Sequence, residues 1–415
     1  MLISRDIKKA IISHLDKKEI TVITGARQVG KTTLLREIAD ELIANGNRAL
    51  FLNLDNEKDN RFFESQDLLL KKITLELGTE GYVFIDEIQR KKNAGVFLKG
   101  LYDQNLPYKL IVTGSGSLEL KEKIHESLAG RKRTFEMMPV SFREFVNYRT
   151  NYKYKENQIM TFLEIEPEQR RILLNEYLNY GAYPRIVTES IAEEKIKLMD
   201  EIFHSYVEKD LVYLLKIERP EVFKSLIQIL SNQIGQMVNH TAIAAQVNLS
   251  LVTLKKYLWY AEKTFSIHKV TPYYSNLAKE IIKSPVYYFT DLGLRNHAMG
   301  LLGNLQINQQ FGFVFENMVF HLLKEHTAWK GCSIHYWRTK DKAEVDFVID
   351  KKTQAIPVEV KYGNIIKPTI SKSFRSFLEK YNPQEAWFIT TGYENSIKLN
   401  TTEVLFKPFY KIYDT

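Results

Sequence analysis

Short apolar runs separated by helical patterns fill the first third of the chain. Residues 20–24 (ITVIT), 49–54, 82–86 and 109–113 read as strands, and residues 32–43 as a helix. Such runs lack the in–out alternation of a half-solvated sheet. They predict parallel strands covered on both faces. From about Phe135 the pattern changes. Residues 170–180 and 196–215 are long, charged and helical, with a Gly-Ala-Tyr-Pro turn at 181–184 between them. Two shorter helical segments follow, near 241–246 and 251–262. A β-rich stretch comes next at 265–274 and 285–290. The last hundred residues open with a helix over 311–326. Strands are expected at 333–337, 343–349 and 355–362, then a helix over 371–381 and a strand at 385–390.

Composition narrows the class. The 415 residues are 44% apolar and 26% charged, with 19 glycines and 11 prolines. This excludes a wholly disordered or collagen-like chain. No apolar run reaches membrane-spanning length, and the opening Met1-Leu2-Ile3-Ser4-Arg5-Asp6 becomes charged too soon for a signal sequence. The single cysteine, Cys332, rules out an internal disulfide. A cytoplasmic chain that makes no membrane contact is expected. The net charge of +8 is unevenly spread. Residues 1–215 hold 33 basic and 33 acidic side chains, 216–300 hold 10 and 5, and 310–415 hold 15 and 12. An excess confined to one half points to a polyanionic partner there, or to solvated lysines.

Residues 25–32 (GARQVGKT) fit the phosphate-loop pattern G-x-x-x-x-G-K-[ST], between an expected strand and an expected helix. Gly25, Ala26, Arg27, Gln28, Val29 and Gly30 would wrap backbone N–H groups around phosphate oxygens. Lys31 would reach the β and γ phosphates, with Thr32 ligating Mg2+ and Thr33 beside it. The strand 82–86 ends in Asp86-Glu87. Asp86 would hold the Mg2+ shell and Glu87 would polarise the attacking water. At the neighbouring strand end Thr113, or else Ser115, would sense the γ-phosphate; a plain strand exit is the other reading.

These motifs resemble AAA-type ATPases of the additional-strand, catalytic-glutamate group. In particular they resemble archaeal and bacterial AAA family proteins that carry a C-terminal domain of unknown function. The likeness continues through Ser127-Leu128-Ala129-Gly130-Arg131, Pro139-Val140-Ser141-Phe142-Arg143-Glu144 and the turn at 181–184, where Gly181-Ala182 replaces a common Gly-Gly. The resemblance implies ATP as ligand and ATPase activity. It implies Arg131 as an arginine finger reaching a second copy in a homo-oligomer, against a plain surface arginine in a basic loop with Lys132 and Arg133. It also puts a helical lid at 181–184, where Arg185 would touch phosphate.

In the basic middle, helix, turn, helix and β-hairpin follow in the order of a winged helix. Ser250, Thr253, Lys255 and Lys256 at the start of the second helix are the DNA-contact candidates, with Lys279 and Lys283 in the hairpin connection. Such modules also serve as structural or protein-binding units.

Near the C-terminus, Asp346 lies on an alternating strand, and Glu359 and Lys361 project from one face of the next. A hairpin pairing would bring the acids together as Mg2+ ligands, with the lysine stabilising developing charge. This resembles the PD-(D/E)XK nuclease core, with Glu316 on the preceding helix as the extra acid. The plainer reading of Glu359 and Lys361 is a surface ion pair.

The expected fold class is α/β. Residues 1–140 form a P-loop AAA-type core, 141–215 a helical lid, 216–300 a winged helix and 301–415 a restriction-endonuclease-like domain. The expected activity is ATP hydrolysis controlling a C-terminal half that binds DNA, with or without cleaving it. The alternative is a signalling or assembly switch that binds a protein and carries an inactive nuclease-like domain.

Overall fold

The computed structural model describes residues 2–115, 128–154, 156–206, 217, 219–274, 284–308, 310–328, 330–365 and 369–414. Ser127, residues 207–215 of the expected long helix, Lys279 and Lys283 lie outside them.

The N-terminal sheet has five parallel strands in the order β2-β3-β4-β1-β5. They are β1 (Ile20–Gly25), β2 (Ala49–Asn53), β3 (Gly81–Asp86), β4 (Tyr108–Ser115) and β5 (Lys132–Glu136). Every residue of β1 is buried, as the unbroken apolar run requires of a strand covered on both faces. Strand β4 stands between β1 and β3, so the loops leaving β1, β3 and β4 emerge together at the carboxyl edge. Strand β5 was not foreseen from the sequence, where the plainer reading of Arg131 set Lys132 and Arg133 in a basic loop. Lys-Arg-Thr-Phe-Glu carries one core residue, Phe135, and is polar at the other positions. That is the pattern of an edge strand, exposed along one side.

The helices Phe142–Arg149 and Pro167–Tyr180 pack against each other through Phe142, Phe145 and Tyr177. The first opens with a capping box in which Ser141 and Glu144 satisfy each other's backbone N–H groups. In the middle of the chain come helices His240–Gln246 and Leu251–Lys263, then β6 (Ile267–Val270) and β7 (Val286–Phe289), paired antiparallel. Isolated bridges tie Met237 to Val286 and Pro272 to Tyr336.

The C-terminal sheet is mixed and six-stranded, ordered β12-β13-β11-β10-β9-β8. Its strands are β8 (Ser333–Arg338), β9 (Glu344–Asp350), β10 (Ala355–Lys361), β11 (Glu385–Thr390), β12 (Asn395–Leu399) and β13 (Thr402–Pro408). The long helix Phe311–Thr327 crosses one face, and the helix Lys372–Tyr381 covers the other. The chain ends in a 3-10 turn, Phe409–Asp414. Its Phe409 ring packs edge-on against Phe142 at 5.2 Å and Phe315 at 5.7 Å, so the C-terminus lies in a core shared with the N-terminal half. No helix among the described residues is long and apolar enough to cross a membrane.

Candidate nucleotide and acid sites

The loop 25–30 leaves β1 and feeds the helix Lys31–Ala44, whose first N–H groups have no partner within the helix. Gly25 is required by a close approach, because a Cβ there would stand 2.3 Å from the Met137 carbonyl oxygen. Lys31 is 5% exposed, and its ammonium donates to Gly25 O at 3.0 Å and Ala26 O at 2.6 Å. The cation therefore sits inside the ring of backbone that a phosphate would enter. Thr32 Oγ1 donates to Asp86 Oδ2 at 2.8 Å. Thr113 donates to Asp86 Oδ1. Glu87 follows in a left-handed conformation (φ 56°), and its N–H reaches Thr113 Oγ1 at 3.3 Å. Its carboxylate accepts from Gln89. Burial pushes the Glu87 carboxyl above the usual range, as does Asp86; Lys31 and Arg27 oppose the shift. Arg27 and Gln28 are half-buried, Val29 is buried and Thr33 is exposed. Ser115 ends β4, and its side chain lies outside the described residues.

One loop-binding residue was missed by the sequence reading. Arg5, 7% exposed, pairs with Glu144 Oε2 at 3.0 Å and donates to Val29 O at 2.8 Å, Met138 O at 2.6 Å and Pro139 O at 3.1 Å. It fastens the loop to the segment leaving β5. Beside it lies a 160 Å³ cavity against the loop, lined by Ile3, Val29, Gly30, Thr33, Met137 and Pro184, among others. Arg185 borders this cavity but is exposed and pairs with Glu201 at 3.1 Å. The turn at 181–184 is fixed by Asp291, which accepts from Ala182 N at 2.7 Å and Leu294 N at 2.8 Å.

Arg131 is held by Asp103 at 2.8 Å. Its carbonyl accepts from Ile20 N, at the end of β1 remote from the loop. Five strand residues separate the two ends, about 16 Å. Arg131 is thus directed away from its own chain's loop.

In the middle segment Ser250 caps the helix Leu251–Lys263, accepting from Thr253 N at 3.1 Å, and the two hydroxyls lie 2.8 Å apart. This qualifies the expected contact set, because both hydroxyls already serve the cap. Lys255 and Lys256 are exposed. Tyr257 and Tyr260 are buried in the core.

At the C-terminal sheet, β9 and β10 pair antiparallel up to Val358 opposite Phe347. One step further Asp346 lies beside Glu359, and Asp346 Oδ2 accepts from Val360 N at 2.7 Å. Glu359 is 7% exposed. Its Oε1 accepts from Lys361 Nζ at 2.8 Å, the ion pair of the plainer reading, while Oε2 is buried without a hydrogen-bond partner. Glu316 completes the group. It accepts from the Tyr288 hydroxyl at 2.6 Å, and a Cβ at Gly235 would stand 2.7 Å from its Oε1. The middle segment therefore closes over this carboxyl. Burial, opposed by the Tyr288 hydrogen bond but reinforced by Glu344 and Glu359, pushes Glu316 to about 8. Burial, Glu359 and Glu316 raise Asp346 well above the carboxylate range. Burial would lower Lys361, but Glu359, Asp346 and Glu316 outweigh it and raise the ammonium. Crowded carboxyls with an unsatisfied buried oxygen suit a hard divalent cation, which takes oxygen ligands and would displace their protons. Among the described residues no group of three His, Cys, Asp or Glu side chains is placed to hold a metal ion, so Asp346 and Glu359 would offer such a cation a pair of ligands.

Residues 17–146 match a family described as AAA domain. Residues 171–305 and 311–409 match two domains of unknown function, DUF8612 and DUF4143. An uncharacterized protein of Haemophilus influenzae is 27% identical over 377 residues, 87% of this chain and 87% of its own. One of Methanocaldococcus jannaschii is 28% identical over 357 residues, 84% of this chain and 75% of its own. Among solved structures, the Aeropyrum pernix ORC1 protein in complex with DNA aligns over 72% of this chain and 93% of its own, at 12% identity and a TM-score of 0.30. The match over 17–146 spans the parallel five-stranded sheet and makes the N-terminal third of the chain similar to an AAA domain.

Proposed function

We propose that the chain binds and hydrolyses ATP, and that its nucleotide state controls a C-terminal half that engages and cuts DNA. The observation that carries the reading is the buried Lys31 ammonium enclosed by the loop carbonyls, beside the Thr32–Asp86 hydrogen bond. Loop N–H groups and Lys31 would hold the β and γ phosphates, and the 160 Å³ cavity would receive the base. Thr32 and Asp86 offer the oxygen pair that Mg2+ prefers, and the ion would supply charge neutralisation. Glu87, whose proton affinity burial raises, would take the proton of the attacking water, with Thr113 orienting the acids. Arg131 would act on the nucleotide of a second copy.

Residues 1–140 would be the ATPase core and 141–215 the lid. Residues 216–300 would be a winged helix touching DNA through Lys255 and Lys256, with Ser250 and Thr253 at its edge. Residues 301–415 would be a nuclease-like domain. There Asp346 and Glu359 would hold Mg2+ and Lys361 would stabilise the developing phosphorane charge; the orphaned Glu359 Oε2 favours this. A second reading rests on Glu316, sealed under Tyr288 and held protonated: a switch that binds a protein partner with an inactive nuclease-like domain. The test is ATP turnover with and without DNA, alongside cleavage of plasmid and linear DNA in Mg2+ or Mn2+. The proposal expects turnover that DNA stimulates, and cleavage that Asp346→Ala abolishes. Turnover without any DNA binding at low salt would favour the switch.

A further inference from the structure

The helix Phe311–Thr327 reaches two sites at once. Its amino-terminal half carries Glu316 into the acid cluster. Its last turns touch the N-terminal third. Lys324 Nζ is 2.8 Å from Glu136 Oε1 and 3.8 Å from the Met138 sulfur. Glu325 accepts from the Tyr413 hydroxyl. The Arg143 guanidinium lies 5.3 Å from the Tyr413 ring centre and pairs with Asp6 at 2.8 Å.

These contacts gather on one segment, residues 136–144, which also holds the phosphate loop. Met137 N donates to Thr24 O at 2.7 Å, and Met137 O occupies the space where a Gly25 Cβ would stand. Arg5 ties Met138 O, Pro139 O and Glu144 to Val29 O. A shift of the loop at Gly25 or Val29 must therefore move this segment or break the Arg5 bonds. The loop also has a reason to shift. Lys31 donates to Gly25 O and Ala26 O. An entering triphosphate would take that ammonium and release the carbonyls of Ala26 and of Gly25, the residue that abuts Met137. From Glu325 back to Glu316 is nine residues of unbroken helix, about 13 Å. Most of that stretch is buried, so it moves as a body rather than bending.

We propose that residues 136–144 and the helix Phe311–Thr327 form a mechanical link through which occupancy of the phosphate loop displaces Glu316 relative to Asp346 and Glu359. This rests on the reading of both sites given above and adds the path between them. The coupling is reciprocal, so the contacts at Lys324 and Glu325 also tune nucleotide affinity.

The test is amide hydrogen exchange over residues 311–320 of the full chain, with and without a saturating non-hydrolysable ATP analogue and Mg2+. It is run on the wild type and on a Lys324→Ala/Tyr413→Phe double variant. The variant keeps the Tyr413 ring, removes only its hydroxyl and trims a half-exposed lysine; melting checks that it folds. The wild type is expected to change its exchange rates by about 5-fold or more, and the variant to bind the analogue yet lose that change. Analogue binding with unchanged exchange in the wild type overturns the link alone. So does a full change persisting in the variant. Failure of the analogue to bind overturns the nucleotide reading and the link with it. DNA cleavage does not enter the readout, so an inactive nuclease-like domain leaves the result decisive.

Discussion

Replacing Arg5 by methionine removes a cation from the junction between the phosphate loop and the segment after β5. Methionine preserves most of the stem, so the loss is electrostatic. Glu144, which is buried and whose carboxyl burial already raises, loses its partner at 3.0 Å. The carbonyls of Val29, Met138 and Pro139 lose their shared donor. Breaking one side of a buried pair costs about 3–5 kcal/mol. For a cooperative unit of 150–250 residues each kcal/mol is worth about 2–4 °C, so the N-terminal transition should fall by roughly 6–20 °C. Analogue affinity should fall as well, because Val29 is no longer anchored. The double variant Arg5→Met/Glu144→Gln should be less damaged than the sum of the singles, by about 0.5–3 kcal/mol, since no carboxylate is left stranded. Calorimetric melting and analogue titration read both effects. An Arg5→Met protein that melts within about 2 °C of the wild type and binds the analogue equally well would refute the reasoning.

Four further outcomes are expected. Glu87→Gln should slow ATP turnover by about 10²–10⁴ while leaving analogue binding intact, as measured by steady-state phosphate release and titration. Gly181→Ala should destabilise by more than about 1 kcal/mol, because φ is +73° and a Cβ would stand 2.3 Å from Gly293 N and 2.5 Å from Asp291 Oδ1. Gly312→Ala, where nothing lies within 4 Å, should be neutral or stabilising in the same melts. Burial raises Glu325 to about 7; the Tyr413 hydrogen bond and Arg143 oppose the shift, while Glu144 and Asp6 add to it. The folded state then binds its proton more tightly than the unfolded chain does. Its stabilisation is complete below about pH 4.5 and is lost as pH rises through 7, to a total of about 3 kcal/mol. Glu325→Gln should flatten that part of the stability–pH curve.

What was legible in the sequence follows from how locally each feature is specified. Strands β1, β3 and β4 are continuous apolar runs, and the loop 25–32 is a contiguous pattern. Both can be read without knowing the tertiary contacts. Strands β5, β12 and β13 were not read, because Lys-Arg-Thr-Phe-Glu, Asn-Ser-Ile-Lys-Leu and Thr-Glu-Val-Leu-Phe-Lys-Pro mix polar and apolar residues in short stretches. β5 and β12 are edge strands while β13 lies inside its sheet, and in all three the pairing is decided by neighbours rather than by the segment itself. Asp346 and Glu359 were legible as neighbours because one hairpin joins them. Arg5 was not, since its partners lie 24 to 139 residues away. The closure of Tyr288 over Glu316 and the Lys324–Glu136 pair are likewise contacts between distant segments, which no periodicity encodes.

Equilibrium titration of a fluorescent ATP analogue against the intact, folded chain in Mg2+ tests the central claim most directly. The account predicts saturable binding that Lys31→Ala removes while its melting profile stays that of a folded protein. Absence of saturable binding by the folded wild type, or undiminished binding by Lys31→Ala, would contradict it.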